Sequence, residues 1–105
     1  MPKSDTIEKV RTVTKDIFKP EEPAKYDVVF LNDDITPMEF VIRVLKQIFN
    51  KTQDEAIKIT QYVHENGKGV AGTYIYEVAE QKGIETTLLA RESRYPLQVK
   101  VQKQK

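Results

Sequence analysis

The chain contains no cysteine, which excludes a disulfide framework, a thiolate metal site and a cysteine nucleophile. It contains one histidine, His64, which excludes a multi-histidine zinc site. No apolar run approaches the roughly 20 residues that a membrane-spanning helix needs. The opening Met1-Pro2-Lys3-Ser4-Asp5 leads into no apolar stretch of the kind a secretory signal requires. A dominant charge sign is missing too: 17 basic side chains against 16 acidic leave a net charge of +1. That balance gives no electrostatic drive toward nucleic acid or an anionic membrane surface. What remains is the expectation of a soluble, cytoplasmic chain. Its 105 residues, 39% of them hydrophobic, suffice for one small domain with one modest core.

Residues 1–24 are polar, mixed in charge and end in Lys19-Pro20-Glu21-Glu22-Pro23. Proline lacks a backbone donor and restricts the residue before it, so this stretch reads as a flexible N-terminal extension. Ile7, Val10, Val13, Ile17 and Phe18 fall at helical spacing, which leaves a transient or partner-induced helix open. The core domain is expected over 25–105. Tyr26, Val28 and Phe30 alternate with Asp27, Val29 and Leu31, the period of a β-strand. Asn32-Asp33-Asp34 then turns the chain. Thr36-Pro37-Met38-Glu39 fits a capping box, with Thr36 as the cap, proline at the first helical position and Glu39 reaching back. Phe40, Val41, Val44, Leu45, Ile48 and Phe49 form the apolar stripe of the helix that follows.

Thr52-Gln53-Asp54-Glu55 repeats the capping logic for a second helix, with Ala56, Ile59 and Val63 inward and Asn66-Gly67 as its stop. Lys68 to Tyr74, with two glycines among β-formers, reads as a short, irregular strand. A third helix is expected from about Ile75 to Glu92, burying Val78, Ala79, Leu88, Leu89 and Ala90 and weakened by Gly83. Leu97, Val99 and Val101 alternate with polar residues in a last strand. The order is β-α-α-β-α-β. Its natural packing is an α+β domain with a three-stranded antiparallel sheet against three helices.

Four stretches, in this order and spacing, resemble the ClpS family. They are Asn32 to Phe40 (NDDITPMEF), Val63 to Lys68 (VHENGK), Gly72-Thr73-Tyr74 leading into Glu77-Val78-Ala79-Glu80 and Lys82, and Ala90-Arg91-Glu92 with Pro96-Leu97. The resemblance covers roughly Lys25 to Gln102, and its first stretch is the most specific. It implies the L7/L12-like α/β fold and a non-enzymatic adaptor without cofactor. Such an adaptor binds the free N-terminal residue (Leu, Phe, Tyr or Trp) of substrate proteins, the N-degron, and delivers them to a Clp AAA+ unfoldase-protease of the ClpA-ClpP type. The N-terminal extension takes part in delivery. The resemblance also implies that Asn32 and His64 contact the substrate amine directly, with Asp33 doing so directly or through water. Thr36, Met38, Val41, Val63 and Leu97 line the pocket for the first side chain. Met38 is the gate against β-branched residues, and Glu77 and Lys82 dock the unfoldase's N-terminal domain. Thr60 departs from the family, whose members usually carry a larger apolar residue there. It either widens the pocket or adds a hydroxyl to it.

The residue types suit that chemistry. A protonated α-amino group, with a pKa of about 7.7–8.0, is a three-donor cation that needs acceptors. An amide oxygen, a carboxylate and a neutral imidazole nitrogen supply them. An internal peptide amide offers one donor and no charge, so such a site selects chain ends. Two rival readings remain. Asp33 and Asp34 with His64 form a possible acid-base or metal set, though adjacent aspartates on an extended segment point to opposite sides. The second rival is a generic or ribosome-associated interaction domain of the same fold. Nothing in the chain requires more than a monomer.

Overall fold

The computed structural model describes residues 23–105. The elements are β1 (Lys25–Leu31), α1 (Met38–Gln47), α2 (Gln53–Asn66), β2 (Lys68–Ile75), α3 (Tyr76–Glu92) and β3 (Gln98–Lys103). The order β-α-α-β-α-β is the one expected. The N-terminal extension, and the helix left open within it, lie almost wholly outside the described residues.

β1 occupies the centre of the sheet, in the order β2-β1-β3, and both its pairings are antiparallel. Its alternation decides the faces. Val28 and Phe30 are fully buried, and each such side chain contributes roughly 1.5–3 kcal/mol of transfer free energy. Phe30 meets Phe49, two residues beyond the end of α1, edge to face at 5.4 Å. The β1–β2 register slips between Val28 and Val29, where Ala71 is the extra residue on β2. The irregularity expected of this strand is thus a bulge. The strand starts at Lys68 as expected and runs one residue further, to Ile75.

The two capping boxes read from the sequence have different fates. At Thr52 the box forms: its hydroxyl accepts from the Glu55 amide at 3.2 Å, and the Glu55 carboxylate accepts from the Thr52 amide at 3.0 Å. At Thr36 it does not. Helix α1 starts at Met38, so the cap position falls on Pro37, which has no capping side chain. The Pro37 carbonyl receives the first helical amides, those of Phe40 and Val41. Thr36 stands outside the helix, and Glu39 has no cap amide to reach for, because proline carries none.

Helix α3 corrects a second expectation. Its buried residues are Ala79, Gly83, Thr86 and Ala90, spaced four, three and four apart. Leu88 is 65% exposed and Val78 is exposed as well, while Leu89 is half-buried. The helix lies across all three strands, and small side chains let it approach them closely. Gly83 sits beneath Val99 and Val101, where a Cβ would come into ordinary contact. The glycine that costs helix propensity therefore faces the sheet. Thr86 is fully buried, and its hydroxyl donates to the Lys82 carbonyl at 2.8 Å.

Candidate functional site

One small pocket opens where the C-terminal end of β1 meets α1 and α2. It is lined by Phe30, Leu31, Asn32, Asp33, Thr36, Met38, Val41, Thr60, Val63, His64 and Leu97. All nine residues expected to hold a substrate N-terminus and its side chain line it, and they come from four separate parts of the chain. Phe30 and Leu31 were not anticipated. The signal for Phe30 was available: in a strand of period two it shares a face with Asn32, the first acceptor.

Backbone pairing explains the convergence. Leu31 pairs with Lys68, and the Asn32 amide donates to the Gly67 carbonyl at 2.8 Å. Gly67 closes α2 in the left-handed conformation (φ 85°) and returns the chain into β2. The last turn of α2, which carries His64, is thereby held beside the end of β1. Both Asn32 and His64 are exposed, so their polar atoms are available at the pocket's mouth.

Asp33 is the hub of the loop between β1 and α1. Its Oδ1 accepts from the Ile35 amide at 2.8 Å and from the Thr36 amide at 2.6 Å, and its Oδ2 accepts from the Thr36 hydroxyl at 2.8 Å. The Thr36 hydroxyl, expected to accept as a helix cap, is instead a donor to this carboxylate. Partial burial, the largest single influence on Asp33, pushes its carboxyl up. The bonds from the Thr36 backbone and hydroxyl, the bond from Ile35 and the nearby Arg91 charge outweigh it and hold the group below its ordinary value of 3.8. An ionised carboxylate has about four acceptor sites. Three are engaged, which leaves room for one further donor.

The deeper pocket is apolar. Phe30, Val41, Val63 and Leu97 are all buried, and Met38, at 43% exposure, stands at the rim. Thr60 is buried within the wall, and its hydroxyl donates to the Ala56 carbonyl one turn back at 2.8 Å. Its proton is spent inside α2, so Thr60 offers the pocket no donor. Gly69, on β2, packs against the α2 side of this wall, close to Val63 and Tyr62.

Asp34 does not line the pocket. Among the described residues, no three histidine, aspartate or glutamate side chains converge as a metal site requires. Glu77 and Lys82 lie elsewhere, on α3. Glu77 is exposed. The Lys82 ammonium is half-buried, donates to the Ile48 carbonyl at 2.6 Å and lies over the rings of Tyr74 and Phe49 at 5.2 and 5.8 Å. It caps the C-terminal end of α1, where free carbonyls favour a cation.

Residues 21–100 match the family model described as ATP-dependent Clp protease adaptor protein ClpS. The chain belongs to the ClpS family. The ATP-dependent Clp protease adapter protein ClpS of Phenylobacterium zucineum is 49% identical over 85 residues, covering 81% of this chain and 78% of that relative. Its namesake in Maricaulis maris is 45% identical over 96 residues, covering 91% and 83%. Among solved structures, Agrobacterium tumefaciens ClpS2 bound to L-phenylalaninamide superposes with a TM-score of 0.76 at 35% identity, over 79% of this chain and all of that one. The α+β architecture described above is thus a ClpS fold, and the chain is a Clp protease adaptor. No helix among the described residues is long and apolar enough to cross a membrane.

Proposed function

We propose that the pocket binds the free N-terminal residue of substrate proteins, with Leu, Phe, Tyr or Trp as its first side chain. The observation that carries this reading is the division of one pocket into a polar mouth and an apolar interior. The Asn32 amide oxygen, a His64 ring nitrogen and the remaining acceptor site of Asp33 receive the ammonium. Phe30, Val41, Val63 and Leu97 surround the side chain, and Met38 closes over it. The ligand of the Agrobacterium relative, L-phenylalaninamide, joins a free α-amino group to a benzyl side chain, which is the same pair of features.

Magnitudes favour a modest binder. Burying one large apolar side chain contributes about 1.5–3 kcal/mol, and two or three charged hydrogen bonds add roughly 1.5–3 kcal/mol each. Association costs at least ~4 kcal/mol. The surplus, about 8 kcal/mol at its upper end, corresponds to micromolar order at the tightest for a short peptide, which suits an adaptor that must release its cargo. The test is a titration with a fluorescent peptide beginning with Phe or Leu, alongside its N-acetylated twin. The free-amine peptide is expected to bind and its twin to fail. Equal binding, or none to either, refutes the reading.

Delivery to a Clp AAA+ unfoldase, ClpA or a relative, is proposed to use residues 1–24 together with the exposed Glu77. Lys82 supports that surface from within, through its bond to Ile48. Removing residues 1–24 is expected to leave peptide binding intact and to slow degradation by the unfoldase-protease. Unchanged degradation would contradict a role for the extension.

A further inference from the structure

Two walls of the pocket measure its depth independently. On α2, His64 stands exposed at the mouth, and Thr60, one turn before it on the same face, is buried in the lining. Four residues of helix, at about 1.5 Å each, put Thr60 about 6 Å further in. On the other wall Asn32 stands exposed just past the end of β1, and Phe30, two residues before it on the same face, is fully buried. Two residues of strand span roughly 6.6 Å. Phe30 and Thr60 therefore share one level inside the pocket. Among the described residues that line it and are buried (Phe30, Val41, Thr60, Val63 and Leu97), Thr60 alone is polar. Its proton is committed to the Ala56 carbonyl at 2.8 Å. A hydroxyl oxygen also has two lone pairs, and donating uses neither. The apolar interior thus holds one acceptor, fixed in that role by its own bond to the helix.

We propose that Thr60 makes the pocket prefer tyrosine as the first residue of the substrate. The inference rests on the reading of the pocket as an N-terminus site. With the α-amino group held between Asn32 and His64, the first side chain runs inward beside Thr60. Of Leu, Phe, Tyr and Trp, only Tyr and Trp carry a side-chain donor. The indole N–H lies on the edge of its ring, whereas the phenol hydroxyl stands at the tip, across a whole ring from Cβ. It reaches the level of Thr60 and donates to Thr60 Oγ1. A phenol buried among Phe30, Val41 and Leu97 without that oxygen would give up its bonds to water and gain none, which disfavours it against Phe. With the oxygen present, Tyr makes a hydrogen bond that Phe cannot.

The test titrates two fluorescent free-amine peptides that differ only in beginning with Tyr or with Phe. The readout is the ratio of their affinities, in which a change common to both cancels. A neutral hydrogen bond is worth about 2- to 12-fold, so the Tyr peptide is expected to bind several-fold more tightly. A third peptide, beginning with O-methyltyrosine, has the oxygen but no proton to donate, and is expected to fall to the Phe level or below. Thr60→Val keeps the side chain's shape and removes the acceptor, and is expected to bring the ratio to unity or below. Thr60→Ser keeps the acceptor and is expected to hold the ratio above unity. Equal binding of Tyr and Phe, O-methyltyrosine bound as tightly as Tyr, or a ratio unchanged in Thr60→Val overturns the proposal. The O-methyltyrosine comparison uses the parent protein and decides the matter even where Thr60→Val does not fold. N-acetylated peptides separate the two claims. Loss of binding on acetylation with a ratio of unity refutes the tyrosine preference alone, and binding indifferent to acetylation refutes the N-terminus reading and the preference with it.

Discussion

Replacing Asp33 with alanine removes a carboxylate that accepts three hydrogen bonds from the loop it begins, at 2.8, 2.6 and 2.8 Å. Bonds to a charged acceptor deep in a protein are worth about 1.5–3 kcal/mol each, but this loop is only partly buried and water replaces part of what is lost. The better guide is a capping side chain that serves backbone amides, whose loss costs about 0.5–2 kcal/mol. With three donors released, the upper half of that range applies, about 1–2 kcal/mol. For a domain of this size, that lowers the melting temperature by about 5–10 °C. Asp33→Asn keeps one oxygen for the Ile35 and Thr36 amides and loses the charge and the hydroxyl bond, so its cost should be intermediate. The pH dependence follows from the lowered carboxyl. A group whose folded value lies below its unfolded value stabilises the protein above the unfolded value and ceases to do so as pH falls through the folded one. The gap between the parent and Asp33→Asn should therefore be constant near neutrality and narrow below about pH 4. Thermal unfolding followed by circular dichroism from pH 7 to pH 2.5 checks both parts. A melting temperature unchanged in Asp33→Ala, or a gap that persists undiminished at the acid end, refutes the hub role.

His64 is exposed, so His64→Ala should melt within about 2 °C of the parent, yet bind the Phe-first peptide about 10- to 100-fold more weakly through loss of one charged hydrogen bond. Unfolding of this variant would assign His64 a structural role instead. Met38→Ala is expected to admit Ile- and Val-first peptides in the same titration, and continued rejection of both would remove Met38 as the gate. Gly69→Ala places a Cβ 2.8 Å from Val63 Cγ2 and 3.0 Å from Tyr62 Cδ1. The crowding should cost about 1–2 kcal/mol after the entropy gained by losing a glycine, and should weaken peptide binding through Val63. A chemical denaturation midpoint at or above the parent's would show that the wall yields freely.

The sequence and the structure part company where a local rule competes with a neighbour. Two Thr-x-x-Glu patterns look alike. The one at Thr52 forms its box, and the one at Thr36 loses it because proline takes the cap position and Asp33 claims the threonine hydroxyl. In α3 the apolar spacing pointed to Val78, Ala79, Leu88, Leu89 and Ala90; Ala79 and Ala90 are buried, but Gly83 and Thr86 complete the buried line in place of Val78 and Leu88. A helix lying close on a sheet needs small residues at its contact line, and small residues carry little hydrophobic signal.

By itself the sequence determined the elements, their order, the α+β class and, through the family resemblance, nine of the eleven residues that line the candidate pocket. Strand period, apolar stripes and helix stops are local properties, and the stretch from Asn32 to Phe40 is continuous. What only the tertiary structure decided is how those residues share the work. The pairing of β1 with β2 and the bond from Asn32 to Gly67 bring His64, some thirty residues away, to the same mouth. The loop's own donors turn Asp33 from a free acceptor into one that is three-quarters engaged, and the α2 backbone takes up the Thr60 proton. A side chain's chemistry is written in its residue type. Whether that chemistry is free to meet a ligand depends on which neighbours reach it first, and those neighbours are set by the fold.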